Sequence, residues 1–394
     1  NNVLKILVLS FYYQPDLCAG SFRCTALIEQ LKQRQDVQIE VITTLPNRYA
    51  SFAAEAPEHE FVDGVEIHRV GLPSHKSGML DQIKAFTAFY RQAFKIAKSK
   101  EYDVVFATSS RLFTAFLGAR IANQKKLPLY LDIRDIFVDT IKDILPAKIT
   151  WLAKPVFSII EAYTFGRAQR INLVSQGFVD YFTSRYPKAE YRWFTNGIDN
   201  EFLAVAPQAP SQASESAKVT VLYAGNIGEG QGLHTIIPNL AASIGDNVYF
   251  RIIGDGGRKA ILQQAISGLT NVELVPPVDR LSLISEYQNA DILFLHLNDY
   301  PAFTKVLPSK IFEYAALGKP ILAGVSGFAA KFLTNEVSNA AVFYPSDAQQ
   351  ALTGYKQLTL NTTPRPEFIA KFARETIMQQ MSEDIVNFGQ GHLK

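Results

Sequence analysis

The chain has 394 residues, of which 47% are hydrophobic and 19% are charged, and its formal net charge is +2. This length suits two domains, the composition excludes disorder and low-complexity repeats, and the small net charge argues against a nucleic-acid-binding protein. The two cysteines, Cys18 and Cys24, are too few for a disulfide framework and fit a reducing compartment, so we interpret both as packing residues.

Short β-branched segments alternate with longer helical patterns along the first half, as is typical of crossover units around a mostly parallel sheet. Residues 204–217 are rich in Pro, Ser, Ala and Gln without an apolar period, and the alternation restarts after them. The predicted strands are 4–10, 37–43, 65–70, 103–108, 129–133, 171–175, 191–194, 220–224, 248–254, 272–275, 291–295, 320–323 and 340–344.

We therefore predict an α/β protein with two Rossmann-like, doubly wound domains that face a cleft. The N-terminal domain spans residues 1–203, followed by a linker or exposed loop (204–217), a C-terminal domain (218–364) and a C-terminal helix (365–394) that packs back toward the N-terminal domain. Ligands of open parallel sheets bind at the carboxyl ends of the strands, so the loops after the strands are where chemistry is expected.

Two parts of the first domain carry candidate functional groups. Arg23 lies one turn into the first helix, where it either reaches an anion or is an ordinary solvated arginine. The strand 129–133 ends in the sequence Asp132-Ile133-Arg134-Asp135. A carboxylate there can orient an acceptor hydroxyl or accept its proton; alternatively, Asp135 caps the next helix, or both carboxylates form an ion network with Arg134.

In the second domain, the strand 220–224 leads into the glycine-rich loop 225–232 and then into a helix. Such a loop either lets a phosphate approach the backbone closely or simply makes a tight turn. A second glycine cluster at 254–257 is interpreted as a turn, with Asp255 as the cap of the following helix.

The segment 305–318, KVLPSKIFEYAALG, predicts a helix that begins after Ser309 as its N-cap and stops at Gly318. Lys310 and Glu313 share one face of its first turns. A lysine near the positively polarised start of a helix is unfavourable unless an anion binds there. The pair therefore indicates a phosphate contact beside a carboxylate that accepts hydrogen bonds from sugar hydroxyls; the alternative is a surface ion pair.

The order GNIGEGQG, IIGDGG and PSKIFEYAALGKPIL resembles the retaining nucleotide-sugar glycosyltransferases of the GT-B fold, family four, over nearly the whole chain. The PSKIFEY form with DIRD upstream is most similar to the O-antigen and capsule branch, which includes N-acetyl-L-fucosamine transferases. This resemblance implies a nucleotide-sugar donor and a lipid-linked or oligosaccharide acceptor.

The resemblance also implies roles for single residues. Glu313 matches the second of the family's paired glutamates, which contacts the donor ribose, whereas Lys305 replaces the first, which touches the donor sugar. Gly20 matches the loop that lies under the donor phosphates, and the backbone of Val278 is expected to hold the base, with uridine as the default.

Two further positions depart from the family. Asn226 and Gln231 stand where an arginine and a lysine are frequent in the phosphate loop, so the diphosphate is expected to rely on Lys310, Lys305 and the amides after Gly228. The predicted catalytic residues are Asp132, Asp135 and Lys310, and the predicted donor-binding residues are Gly20, Arg23, Asn226, Gly228, Val278, Lys305, Ser309, Lys310 and Glu313.

No DxD triplet and no His/Cys cluster with metal spacing occurs in the sequence, so we predict metal-independent transfer without a cofactor. His234 and His296 are interpreted as structural. No run of about 18 apolar residues and no signal-peptide pattern is present, which favours a cytoplasmic protein. Aromatic and basic residues at helical spacing in 80–100 and 146–170 are either core residues or contacts to an anionic membrane surface, and the resemblance favours a peripheral protein at the inner face of the cell membrane.

The sequence thus predicts a retaining glycosyltransferase that uses a nucleotide-diphosphate sugar, UDP-linked by default, in cell-surface polysaccharide synthesis. Two alternatives remain from the residues alone. The loss of the usual loop cations and of the first glutamate suits a catalytically silent binding subunit, and the same fold also supports a nucleotide-sugar epimerase.

Overall fold

The computed structural model describes residues 3–46, 55–73, 79–144, 146–205, 207 and 218–393. The chain forms two compact units, one from Asn1–Asn196 and Glu375–Lys394 and the other from Gly197–Arg374. Most of the linker predicted at 204–217 lies outside the described residues.

The described part of the first unit has one eight-stranded sheet. Its strands are β1 (Leu4–Ser10), β2 (Val37–Thr44), β3 (His59–Val62), β4 (Val65–Val70), β5 (Val104–Ser109), β6 (Leu129–Ile133), β7 (Arg170–Leu173) and β8 (Glu190–Arg192). They run in the order β3-β4-β2-β1-β5-β6-β7-β8, and every neighbouring pair is parallel except β3 and β4. The central strands β1 and β5 are buried almost throughout, as parallel strands covered on both faces should be.

Strand β3 was missed by the sequence prediction. It lies at the sheet edge, is largely exposed and has no apolar run, so it lacks the signal of a core strand. Asp63 and Gly64, both with positive φ (53° and 80°), connect it to β4. An Asp-Gly pair between two short segments is the sequence signal that predicts such a hairpin.

The helices of the first unit are α1 (Ala19–Leu31), α2 (Met79–Lys98), α3 (Phe113–Lys125), α4 (Phe137–Ile144), α5 (Ala147–Gly166) and α6 (Val179–Arg185). The second unit has, among its described residues, a fully parallel six-stranded sheet of β9 (Val219–Ala224), β10 (Val248–Ile253), β11 (Val272–Val275), β12 (Ile292–His296), β13 (Ile321–Gly324) and β14 (Ala340–Phe343). Its strand order is β11-β10-β9-β12-β13-β14, so the prediction of two doubly wound α/β units is confirmed.

The helices of the second unit are α7 (Asn200–Leu203), α8 (Leu233–Ile244), α9 (Lys259–Ala265), α10 (Arg280–Asn289), α11 (Lys310–Ala316), α12 (Gly327–Glu336), α13 (Ala348–Gln357) and α14 (Pro366–Phe372). Helix α11 ends as predicted, because Gly318 follows it with φ at +71°. Helix α8 covers an apolar core that includes Val221, Phe250 and Phe294 from three neighbouring strands.

The C-terminal segment predicted as one helix over 365–394 forms two, α14 and α15 (Arg374–Gly391). They are separated by Ala373, whose φ of −58° and ψ of 127° are not helical. Within the first unit, α15 packs on the sheet: Asp384 accepts a hydrogen bond from the Tyr130 hydroxyl at 2.8 Å, and a Cβ on Gly389 would lie 2.7 Å from Leu4.

Candidate functional site

In the first unit, Arg23 and Asp132 form an ion pair inside the protein. Nε of Arg23 lies 2.8 Å from Oδ2 of Asp132 and its NH2 lies 3.0 Å from Oδ1, with both residues about 1% exposed. The guanidinium also donates to the carbonyls of Phe194 (2.7 Å) and Thr195 (2.9 Å). Arg23 thus ties α1 and the end of β6 to the chain that follows β8.

The Asp132 carboxylate is fully engaged by this network. It also accepts hydrogen bonds from Thr108 (2.8 Å) and Asn172 (2.9 Å), which lie on the two strands beside β6. Burial opposes the charge, but the Arg23 guanidinium and the hydrogen bond from Asn172 hold the pKa of Asp132 below its usual value. The alternative that Arg23 is an ordinary solvated arginine is therefore wrong, because its side chain is buried against Asp132. The roles of Arg23 as an anion ligand and of Asp132 as a catalytic group stay predictions, and in this structure the two side chains satisfy each other.

The Arg134 guanidinium lies against the start of α1. A Cβ placed on Gly20 would lie 2.3 Å from the NH1 atom of Arg134, so a glycine is needed for this close approach. Burial lowers the pKa of Arg134 although Asp132 opposes the shift, and its Nε is buried without a hydrogen-bond partner. An anion bound at the loop that contains Gly20 would offset the cost of burying this positive charge.

Asp135 follows Arg134 at the end of β6. Burial raises the pKa of its carboxyl to about 7, against the opposing charges of Arg134 and Arg111. The residue lines a cavity of about 10 Å³ together with Ser109 and Glu161, which is the space of one water molecule. A carboxyl with a near-neutral pKa can exchange a proton at physiological pH, which fits the predicted role of Asp135 as proton acceptor or orienting group.

In the second unit, the loop between β9 and α8 is built on the second glycine cluster. Gly225 donates to the Ile253 carbonyl (2.9 Å), and a Cβ on Gly254 would lie only 1.8 Å from the Gly225 carbonyl oxygen. The prediction that Asp255 caps the following helix is wrong: its carboxylate accepts a hydrogen bond from the neighbouring Gly256 amide, and Arg258 occupies the N-cap position of α9. The second cluster thus supports the first loop by backbone contact.

The two positions that depart from the family contact each other. The Asn226 side-chain amide donates to Oε1 of Gln231 at 3.1 Å. Both groups lie over Gly228, where a Cβ would be 2.7 Å from the Asn226 amide nitrogen. The loop therefore presents a neutral, hydrogen-bonded pair where two cations are frequent.

Lys310, Tyr287 and Glu313 form a chain of polar groups beside the same loop. Lys310 Nζ lies 3.4 Å from the Tyr287 hydroxyl, which donates to Oε2 of Glu313 at 3.1 Å. Burial and the Glu313 charge raise the pKa of Tyr287 well above its usual value, so the hydroxyl stays protonated and remains a donor. A Cβ on Gly225 would lie 2.9 Å from Lys310 Cε, so the glycine leaves room for the lysine to cross the loop.

Lys310 is a partly desolvated cation. Burial lowers its pKa, Arg280 acts in the same direction, and Glu313 opposes them. Arg280 is itself neutralised, with Nε 2.7 Å from Glu201 and NH2 3.1 Å from Asp199. A phosphate beside Lys310 Nζ would stabilise the charged form of the lysine.

The remaining predicted donor residues lie in loops of the second unit. Ser309 occupies the predicted N-cap position of α11, although its side chain makes no capping hydrogen bond. Lys305 ends the 3-10 turn Pro301–Thr304 between β12 and α11, and half-buried Val278 lies between β11 and α10. His296 is structural, as predicted: its ring accepts from the Ser346 amide (2.9 Å) and bonds the Gln231 carbonyl (2.7 Å), and burial lowers its pKa to about 4.

Among the described residues, the side chains that could hold a metal ion are His59, Glu66 and His68, whose ligand atoms lie within 4.8 Å of one another. This cluster was not predicted from the sequence, because neither β3 nor the β3–β4 hairpin was predicted. Lys100 Nζ lies 2.8 Å from Glu66 and 2.9 Å from Glu40. This ammonium group already supplies the positive charge that the two carboxylates require.

Three further functional candidates were not predicted from the sequence: Tyr287, Arg280 and Arg134. Tyr287 and Arg280 carry no local motif, since each acts through residues distant in sequence. Arg134 had a signal, the DIRD sequence at a strand end, but its contact with Gly20 depends on the fold.

Two family models match separate parts of the chain. Residues 207–376 match "Glycosyl transferases group 1", and residues 21–197 match the "Glycosyl transferase 4-like domain". The two matches meet close to the boundary between the compact units.

The chain is 27% identical over 176 residues to WcaI of Escherichia coli (strain K12), a glycosyl transferase named for colanic acid biosynthesis, and this alignment spans 43% of each protein. Its fold is similar to sucrose-phosphate synthase from Thermosynechococcus elongatus (TM-score 0.75, 14% identity, 98% of this chain and 100% of that one). It is also similar to HepE from Anabaena in complex with UDP (TM-score 0.67, 16% identity, 98% and 100%).

Proposed function

We propose that the chain is a glycosyltransferase of the group 1 type and that it transfers a sugar with retention from a UDP-sugar to a lipid-linked sugar in cell-surface polysaccharide synthesis. The observation that carries this proposal is the chain of polar groups formed by Lys310, Tyr287 and Glu313. It lies beside the glycine-rich loop, where Gly225 leaves space for the Lys310 side chain. A cation next to a carboxylate suits a ligand with a diphosphate at one end and vicinal hydroxyls close by.

In the proposed complex, the donor binds the second unit. Glu313, oriented by the Tyr287 hydroxyl, accepts hydrogen bonds from the ribose, and the Val278 backbone holds the base. Lys310 and the amides around Gly228 contact the diphosphate, while Lys305 contributes to selection of the donor sugar. HepE, a protein of similar fold, has been solved with UDP and with UDP-glucose, which supports uridine as the base.

The proposed reaction breaks the bond between the anomeric carbon and the diphosphate oxygen and forms a bond from the same carbon to the acceptor oxygen on the same face. Lys310 stabilises the charge that develops on the leaving diphosphate. Asp135 orients the acceptor hydroxyl, whose proton passes to the leaving phosphate. The near-neutral pKa of Asp135 supports this role, since its carboxylate form is accessible at physiological pH.

Transfer is tested with the purified full chain, a panel of UDP-sugars and a polyprenyl-diphosphate sugar as the acceptor. Formation of UDP and of the extended lipid, with the anomeric configuration of the donor, is the expected result. Binding of UDP without turnover of any donor would overturn the transfer reaction while preserving the donor site.

One observation favours the second candidate, a silent binding subunit. Asn226 and Gln231 satisfy each other in the place of two cations. Turnover of the unmodified chain and of Asn226→Arg, which introduces a cation into the loop, distinguishes the two functions. An enzyme should be active, and the variant should keep turnover near the original value. A silent subunit should be inactive with either residue and with every donor.

A further inference from the structure

The first part of α5 exposes large apolar side chains to solvent. Trp151 is 77% exposed, Ile159 71% and Leu152 67%, and Ile149 and Val156 are about half exposed. Soluble helices normally turn polar residues to solvent and apolar residues to the core. A contiguous apolar surface of this kind marks a site of interaction.

The exposed residues follow the period of the helix. Ile149, Leu152, Val156 and Ile159 recur at intervals of three and four residues and therefore form one stripe, with Trp151 beside it. The opposite side carries the contacts to the protein: Thr150 is buried, and the Phe157 ring lies 5.2 Å from Phe137 and 6.0 Å from Phe113. Helix α5 thus has two apolar sides, of which the protein covers one.

The charge of this segment is one-sided. Residues 147–160 contain Lys148 and Lys154, both exposed, and no acidic residue; Glu161, the first acid, is buried and accepts hydrogen bonds from two tyrosines. Exposed apolar side chains flanked by lysines complement an anionic bilayer, where the apolar groups enter the acyl region and the ammonium groups meet phosphates. Trp151 suits the headgroup level because its ring is apolar and its N–H is polar.

Helix α5 is suited to lie on a bilayer and not to cross it. No helix among the described residues is long and apolar enough to span a membrane. Moreover, the final turns of α5 are held by the protein, with Thr164 and Phe165 buried. We propose that residues 147–160 form a docking surface for the anionic face of a lipid bilayer, with the Ile149–Leu152–Val156–Ile159 stripe and Trp151 inserted and the two lysines at the phosphates.

This inference rests on the proposed function in one respect: the role of the docking surface is to bring the enzyme to a lipid-linked acceptor. Binding itself is measured without any sugar. The full chain is sedimented with vesicles of phosphatidylcholine alone and with vesicles that also contain phosphatidylglycerol, and we expect binding to the anionic vesicles with strong dependence on salt.

Substitutions then locate the surface. Leu152→Ser combined with Ile159→Ser should weaken binding to anionic vesicles by about tenfold or more, because two exposed apolar side chains that would insert into the bilayer are lost. Lys148→Glu with Lys154→Glu should abolish the preference for phosphatidylglycerol. Leu281→Ser, which removes an exposed leucine from α10 in the other unit, is the matched control and should bind as the unmodified chain does.

Fluorescence gives a direct readout of insertion. The chain has two tryptophans, so Trp193→Phe leaves Trp151 as the sole indole. Its emission should shift to the blue with anionic vesicles. The proposal is overturned if vesicles change neither the sedimentation of the chain nor the Trp151 emission. It is also overturned if the only effect of Leu152→Ser with Ile159→Ser is to convert an oligomer to a monomer in the absence of vesicles, because the stripe would then bind a second copy of the chain. Transfer to a short, soluble acceptor analogue should survive these substitutions, so loss of docking is distinguishable from loss of the proposed activity.

Discussion

The Tyr287 hydroxyl donates a hydrogen bond to Oε2 of Glu313 at 3.1 Å, which places a buried phenol behind the carboxylate proposed to hold the donor ribose. Helix α10 thereby positions a side chain of α11. The ring centroids of Tyr287 and Tyr314 lie 5.4 Å apart. A test of the Tyr287 hydroxyl must therefore leave the ring in place.

We predict that Glu313→Ala weakens UDP binding by about 1–3 kcal/mol, because ribose hydroxyls lose their acceptor. Tyr287→Phe keeps the ring and removes only the hydroxyl, and should cost about 1 kcal/mol of the same binding energy. Calorimetric titration with UDP measures both. Unchanged affinity in a folded Glu313→Ala variant would sink the ribose assignment.

Lys310→Met should lower turnover by roughly 100-fold or more, the scale expected for loss of one preorganised charge-stabilising group. Methionine keeps most of the side-chain volume beside Gly225 and removes the charge. Lys371→Met is the control, since that lysine is exposed and pairs with Glu336 away from the loop. Near-normal turnover of the Lys310 variant in steady-state assays would exclude the leaving-group role.

Asp135→Asn should abolish the dependence of activity on a group with a pKa of about 7 and reduce turnover severely. The same variant should be more stable at alkaline pH. The folded-state pKa is raised above the unfolded value, so stability falls as pH rises from about 4 to 7 and the full cost of the buried charge is present above that range. Thermal unfolding should therefore show a higher Tm for the variant at pH 8 and a much smaller difference at pH 4.

If Asp135 takes no part in the reaction, Asp135→Asn should leave the pH profile of turnover in its original form. A Tm of the variant at pH 8 that is not higher than that of the unmodified chain would contradict the raised pKa.

The Arg23–Asp132 pair is predicted to be structural. Arg23→Met or Asp132→Asn should each lower the free energy of unfolding by about 3–5 kcal/mol, because the remaining partner is left buried without its counter-charge. The double variant should lose less than the sum of the two. Urea unfolding of the four proteins measures this coupling, and additive losses would contradict a direct pair.

The Asp132 pKa adds a pH test. Because the folded-state pKa is lowered, its stabilising contribution is present above the unfolded value near 4 and disappears as pH falls through the folded value. The unmodified chain should lose this stability in acid, and the part due to Asp132 should be missing from the Asp132→Asn variant.

Activity is predicted to need no divalent metal. Turnover with a chelator should equal turnover without it. Loss of activity that is restored by magnesium or manganese would overturn the prediction.

Local patterns in the sequence are enough to predict several features of the fold. Buried β-branched segments and helical periods predict the two parallel sheets, since each element must cover its apolar side. The spacing of Lys310, Glu313 and Gly318 likewise predicts a short helix with a cation and a carboxylate on one face. The extra strand β3 escaped because an exposed edge strand needs no apolar run.

Which polar groups become partners depends on the three-dimensional fold. Arg23 and Asp132 are 109 residues apart and meet because β1 and β6 lie on either side of β5, so a predicted ligand and a predicted catalytic acid neutralise each other. Tyr287 reaches Glu313 from another helix, and Arg134 reaches Gly20 from another strand end. A local pattern states what a side chain can do, but burial and the nearest opposite charge decide whether it remains free to do it, and both are set by the order of strands in the sheet.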